Sequence, residues 1–368
     1  MKKILLVTRP ITPPWDEASK NFAYFLAKST GGFEFNVLTP GHVDSLEKHI
    51  VQQPIYTSAH LDWGQRLRIF KLAKLVRGFD IAHFMLTPTK LNTLAFKIVL
   101  GKSKAKTVQT IATLREDLFS DKELKKVMFA DLVITYSDYA KHKLESLGVG
   151  NVKRIYPGID LDLYKPSPKD DAVLRFFNID EKDFVISYPG EYTRLGATDG
   201  LVEILPKLFK KIPNAKFVFA CRVKNEKDAQ KKAEITERFK KENILDKIVF
   251  TDTFADMPKI YNMSDVVVFP VKDMKGKFDV PLAVIEAFAC EKPVVISDIP
   301  ILGEFANADN SVIISHKDFD QLVDSLTGLH ADLEMGKALG KAARKYTQDN
   351  FDIKNVSEEY KKAYESLL

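Results

Sequence analysis

Apolar residues fall in short runs without period-two alternation: Lys3 to Thr8, Phe35 to Thr39, Ile81 to Met85, Thr107 to Ile111 and Leu132 to Tyr136 in the first half. Val185 to Tyr188, Lys216 to Ala220, Ile248 to Thr251, Asp265 to Pro270 and Pro293 to Ser297 follow in the second. Strands covered on both faces read this way. Between them lie helix-period segments such as Gly200 to Ile212, with Leu201, Ile204, Leu205, Leu208 and Ile212 on one side. Alternating β and α units predict parallel sheets with helices on both faces. The pattern occurs twice, separated by a Pro-rich, charged break at Leu163 to Asp171. The expected fold is α/β, two doubly wound Rossmann-like domains facing across a cleft, with ligands at the carboxyl ends of the strands.

Composition narrows the class. A chain of 368 residues exceeds one compact core,. Hydrophobic residues at 45% and charged ones at 29% are ordinary for soluble proteins, and no apolar run approaches the roughly 20 residues that span a bilayer,. Met1 to Arg9 has basic residues before an apolar run, as a signal peptide does, but the run stops at Thr8 without a cleavage site and reads as a first strand,. Cys221 and Cys290 lie in apolar segments without metal-ligand spacing, as buried thiols in the cytoplasm would,.

The net charge of +5 is uneven. Met1 to Pro166 carries 25 Lys+Arg against 16 Asp+Glu, and the remainder 30 against 34. The excess concentrates in Gln65 to Arg77, where Leu67, Phe70, Lys71 and Lys74 have helical spacing, and again at Lys102, Lys104 and Lys106. A basic amphipathic helix there either lies on anionic lipid or packs its apolar stripe on its own domain.

Neither half contains G-x-G-x-x-G, a P-loop, G-x-S-x-G or a His/Cys cluster, which disfavours dehydrogenases, NTPases, α/β-hydrolases and zinc sites,. Asp160-Leu-Asp162 has D-x-D spacing, but Pro157 to Asp160 reads as a turn, and no metal is expected. The stretch Lys277 to Val295 isolates one acid, Glu286, in a helix apolar on nearly every face. Pro281 suits its first turn, and Asp279 could accept amide hydrogen bonds there. A carboxylate on a buried helix needs donors. A sugar's adjacent hydroxyls, a solvated rim or a neighbouring lysine would each supply them.

Phe278 to Val295, with Ala130 to Ser137, Ile155 to Asp160 and Val266 to Pro270, resembles the GT-B glycosyltransferases, specifically retaining family 4. The resemblance implies that Glu286 hydrogen-bonds the ribose of a nucleotide-sugar donor. It implies an acceptor domain over 1–165, a donor domain over 166–351, and a C-terminal helix over 352–368 packing back on the first.

Departures from the family pattern are specific. The family's other glutamate, eight residues earlier, is Phe278, or Gly276 with a two-residue insertion, leaving Asp279 or Asp273 as nearby acids. Pro281 removes an N–H from the turn that cradles the donor phosphate. The Gly-Arg and Lys that hold the diphosphate become Gly190-Glu191 and Gly196, so Arg194 and Arg222 are the candidate grips, with surface salt bridges as their alternative,. The histidine many relatives carry after the strand Thr107 to Ile111 is Ala112. Expected catalytic residues are Arg194 and Asp279; expected donor contacts are Gly190, Arg194, Arg222, Lys277, Asp279, Leu282 and Glu286. Trp15, Asp16, Lys20 and Arg115 are the acceptor candidates, with a packed Trp15 and a helix cap as the alternative. The implied activity is metal-independent, cofactor-free transfer of a hexose from a nucleotide diphosphate sugar to a glycan or lipid-linked acceptor, in the cytoplasm or peripherally on an anionic membrane face. No nucleic-acid partner is expected. A non-catalytic binding subunit and a sugar-nucleotide epimerase remain open.

Overall fold

The computed structural model describes every residue except Pro14, Asp16, His60, Leu61 and Lys102, and the backbone alone at Arg66 and Ile69. Contacts divide the chain into two compact units. The first holds Met1–Asp160, Gly276–Val280 and Asn350–Leu368; the second holds Leu161–Lys275 and Pro281–Asp349.

The first unit contains a seven-stranded parallel sheet. Its strands are β1 (Lys2–Val7), β2 (Phe33–Leu38), β3 (Val51–Gln53), β4 (Ile81–Phe84), β5 (Lys106–Ile111), β6 (Leu132–Thr135) and β7 (Val152–Arg154), in the order β3-β2-β1-β4-β5-β6-β7. Ile4, Leu5, Leu6 and Val7 are all buried, as a central strand covered on both faces requires,. The helix Ile353–Glu365 buries Ile353, Val356, Tyr360, Ala363 and Tyr364 and packs on the helix Ala18–Ser29. A short parallel bridge joins Ile159 to Asp352 at its start. A Cβ on Gly158 would lie 2.6 Å from Ile353 Cδ1, so the turn at Pro157 approaches this helix as only glycine allows,.

The second unit contains six parallel strands, β8 (Phe184–Tyr188), β9 (Ala215–Phe219), β10 (Ile248–Phe250), β11 (Val266–Phe269), β12 (Val294–Ser297) and β13 (Val312–Ile314), ordered β10-β9-β8-β11-β12-β13. Both sheets wind outward in two directions from an inner pair, β1/β4 in one and β8/β11 in the other. Loops leaving the carboxyl ends of such a pair diverge to opposite faces and leave a crevice.

The ten expected strands are present. Three more, β3, β7 and β13, escaped the hydrophobic pattern because each is three residues long, at a sheet edge, and mostly exposed or half-buried. The basic segment departs further from expectation. It forms a helix at Trp63–Leu67, 3-10 turns at Arg68–Lys71 and Val76–Gly78, and one helical turn at Leu72–Leu75. Leu72 and Val76 enter the core, whereas Leu67 and Phe70 are exposed. The apolar stripe expected from the spacing of Leu67 and Phe70 is therefore not the face that packs.

Candidate donor site

The carboxyl ends of β9, β8 and β11 bring three loops together in the second unit. After β8 the chain runs Pro189-Gly-Glu-Tyr-Thr-Arg-Leu-Gly196 into the helix Ala197–Lys211. A Cβ on Gly190 would fall 1.9 Å from the Tyr188 ring, and Gly196 combines φ +66° with a Cβ position 2.9 Å from the Lys272 side chain. These glycines let the loop fold over its own strand and meet the β11 loop, where the Lys272 amide donates to the Leu195 carbonyl at 2.7 Å,.

Glu191 is the centre of this loop's charge. It is buried, and its two oxygens face Lys224 Nζ at 2.5 Å and Arg194 Nε at 3.4 Å. Arg194 also donates to the Lys275 carbonyl at 3.4 Å. Arg222 is half-buried just beyond the end of β9. Where Arg194 and Arg222 were expected to grip a diphosphate, the structure places Glu191 between Arg194 and Lys224. Lys224 went unrecognised because nothing in a solvated-looking Arg222-Val-Lys224 segment reveals the folding that carries it to Glu191.

The helix after β11 spans Leu282–Ala289, with Pro281 at the N-cap position rather than in the first turn. Six of its residues, including Leu282, are buried. Glu286 Oε2 accepts a hydrogen bond from the Tyr261 hydroxyl at 2.8 Å, and the Tyr164 hydroxyl donates to the same carboxylate. The side chain keeps some exposed surface. Burial pushes the Glu286 carboxyl above the ordinary glutamate range, and the two tyrosine bonds partly offset the rise,. The lysine partner considered from sequence is replaced by two neutral hydroxyls. Tyr261 belongs to the helix Met257–Met263 and Tyr164 to the segment entering the unit, so only the fold joins three positions this far apart in sequence.

Six candidates belong to the first unit. The Asp279 carboxylate accepts from Ser137 Oγ at 2.5 Å, and its amide donates to the Ala112 carbonyl at 2.8 Å. Ser137 is itself the N-cap of the helix Asp138–Ser146, so the carboxylate sits where that helix concentrates positive potential,. Phe278, at the position of the missing acid, packs edge-on against Tyr136 with centroids 5.6 Å apart. Lys277 is half-buried in the same segment. Trp15 stacks on Tyr24 at 4.7 Å, Lys20 is buried in the first turn of the helix Ala18–Ser29, and Arg115 makes a two-pronged pair with Asp117, each bond 2.8 Å. Asp16 lies outside the described residues. Among the described residues no group of three or more His, Cys, Asp or Glu side chains could hold a metal ion.

Residues 170–346 match the family model described as glycosyl transferases group 1. The chain is 23% identical over 231 residues to the GDP-mannose-dependent alpha-(1-6)-phosphatidylinositol monomannoside mannosyltransferase of Mycolicibacterium smegmatis, covering 60% of this chain and 59% of the relative. It is 26% identical over 251 residues to the processive diacylglycerol alpha-glucosyltransferase of Acholeplasma laidlawii, covering 65% and 68%. The match thus spans a little under three-fifths to about two-thirds of these relatives' lengths. Among solved structures, Anabaena Alr3699/HepE in complex with UDP and glucose superposes over 100% of both chains with a TM-score of 0.80 at 17% identity. Sucrose-phosphate synthase from Thermosynechococcus elongatus gives 0.78 at 17%, over 100% of this chain and 99% of that one. With two parallel sheets of seven and six strands the chain has the GT-B fold of these solved structures, and its segment 170–346 is similar to the glycosyl transferases group 1 family.

Proposed function

We propose that the protein transfers a hexose from a nucleotide diphosphate sugar to a glycan or lipid-linked acceptor with retention of anomeric configuration, without metal or cofactor. The observation that carries this reading is Glu286, a carboxylate on an otherwise apolar helix, fixed by two tyrosine hydroxyls and still partly exposed. In this reading the acceptor positions of the carboxylate that the tyrosines leave take two ribose hydroxyls, while Tyr164 and Tyr261 hold it in place. Leu282 lies one turn earlier on the same helix and would border the nucleoside.

Arg194, Arg222 and Lys224 would surround the departing diphosphate, with the amino end of the helix Ala197–Lys211 adding backbone N–H groups,. In front-face retention the leaving phosphate accepts the acceptor's proton, so the protein contributes position and charge stabilisation rather than a base. Asp279 is assigned a positioning part, through Ser137, rather than contact with the sugar. Trp15, Asp16, Lys20 and Arg115 remain the proposed acceptor side, in the cytoplasm.

Two relatives named above use a phosphatidylinositol mannoside and a diacylglycerol lipid, and one structural neighbour was solved with UDP and glucose. They support a lipid-linked acceptor and leave the donor base to measurement. A second reading, a non-catalytic binding subunit, is favoured by Phe278 in place of the acid and by Glu191 opposing the diphosphate cations. A thermal-shift screen of UDP, GDP, ADP and their sugars, followed by release of free nucleotide from the stabilising donor with and without diacylglycerol or a glycan acceptor, separates the readings. Transfer requires acceptor-dependent nucleotide release. Stabilisation with no release above blank establishes the binding subunit, and acceptor-independent conversion of the sugar establishes an epimerase.

A further inference from the structure

The first unit leaves a second feature unexplained by donor chemistry. The helix Lys90–Leu100 is apolar on two faces. Thr93, Phe96 and Val99 enter the core, while Leu91, Leu94 and Ile98, one turn apart on another side, are 57%, 58% and 59% exposed. This helix packs against the Arg68–Lys71 turn and the Leu72–Leu75 helical turn. On that neighbouring segment Trp63, Leu67 and Phe70 are 68%, 59% and 46% exposed. An open depression here is lined by Gly64, Leu67, Arg68, Phe70 and Lys71.

Charge accompanies the apolar residues. Residues 63–106 contain ten Lys+Arg and one acid, Asp80, which is bonded to Lys2 at 2.9 Å. Among the described residues, Lys71, Lys74, Arg77 and Lys97 are exposed and make no ion pair. Scattered apolar side chains need no explanation, but six on two packed segments interleaved with unpaired cations do.

We propose that this face, the segment from Trp63 to Arg77 together with the helix Lys90–Leu100, seats the protein on an anionic lipid surface. Leu, Ile, Phe and Trp would enter the boundary between headgroups and acyl chains while the lysines and arginines meet the anionic headgroups. Charge decides against the other occupants. Protein interfaces are depleted in lysine at their cores, and a second copy docked through the same face would oppose the seven Lys and Arg of these two segments with the same seven,. The proposal extends the transferase reading by favouring the lipid-linked acceptor over a free glycan, but its test needs no donor.

The full chain is sedimented with vesicles of phosphatidylcholine alone and of phosphatidylcholine and phosphatidylglycerol in equal parts, at low and high salt. The expected result is binding to the anionic vesicles only, weakened by salt. Lys71→Ala with Lys74→Ala lowers partitioning roughly 25-fold, at about fivefold per cation. Leu94→Ser with Ile98→Ser lowers it by at least roughly tenfold, through lost apolar burial. Both pairs are exposed, so melting temperature and the nucleotide-induced thermal shift stay at wild-type values; the second measurement tracks the donor site separately. Equal binding to both vesicle types, no binding to either, or undiminished binding by both variant pairs overturns the proposal. So does a dimer, seen by sedimentation velocity, that Leu94→Ser with Ile98→Ser converts to monomer.

Discussion

Replacing Glu286 by glutamine and by alanine separates its two parts. In the unliganded protein the carboxylate satisfies the hydroxyls of Tyr261, fully buried, and of Tyr164, half-buried. Alanine leaves both without an acceptor, at about 1 to 3 kcal/mol for each buried group, so Glu286→Ala should destabilise the fold by roughly 2 to 5 kcal/mol. Glutamine retains one carbonyl acceptor for a tyrosine and should cost much less. Because the folded carboxyl titrates above its unfolded value, its contribution to stability is present at low pH and lost as pH rises through the raised value; Glu286→Gln should flatten that part of the profile,. Nucleotide binding responds differently. Both substitutions remove a charged acceptor for the ribose hydroxyls, at about 1.5 to 3 kcal/mol, or roughly 10- to 150-fold in Kd. Calorimetric titration with the nucleotide found by thermal shift, beside urea melts at several pH values, reads both effects. A Glu286→Gln protein that binds nucleotide within twofold of wild type refutes the ribose assignment; an alanine variant no less stable than the glutamine one refutes the role given to the tyrosine bonds.

Three further outcomes follow from other sites. Burial pushes His83 down to about 3, with Tyr364 and Thr110 bonded to its two nitrogens; the unfolded chain therefore takes up a proton first as pH falls, and about 3 kcal/mol of stability should be lost between pH 7 and 4.5,. An unchanged urea-melt slope with pH in His83→Gln would dismiss this residue as the source. Glu191→Gln removes the counter-charge between Lys224 and Arg194 and should tighten pyrophosphate binding by about 1 kcal/mol with a steeper salt dependence, measured by calorimetry; equal or weaker binding would place the diphosphate elsewhere. Gly340→Ala, normally favourable inside a helix, would put a Cβ 2.1 Å from the Glu291 carbonyl oxygen, so a loss of about 2 to 3 kcal/mol is expected and a raised Tm would contradict the packing,.

Hydrophobic pattern alone determined much of this protein. Runs such as Ile4 to Val7 and Val266 to Phe269 have no polar face, and only a parallel sheet covered on both sides accommodates them. Glu286 was legible for the same reason, since one acid on an apolar helix demands donors. The identity of those donors was not, because Tyr164, Tyr261 and Glu286 are brought together by helix packing and carry no local signature. Lys224 and Glu191 meet for a similar reason: the loops after β8 and β9 are neighbours through strand order, not through sequence. The basic segment shows the converse. Its composition was plain in the chain, but which residues it buries depended on the 3-10 turn at Arg68–Lys71, which rotates Leu72 and Val76 inward and leaves Leu67 and Phe70 outside. Local sequence sets which groups must be buried or paired; tertiary packing decides which partners they find.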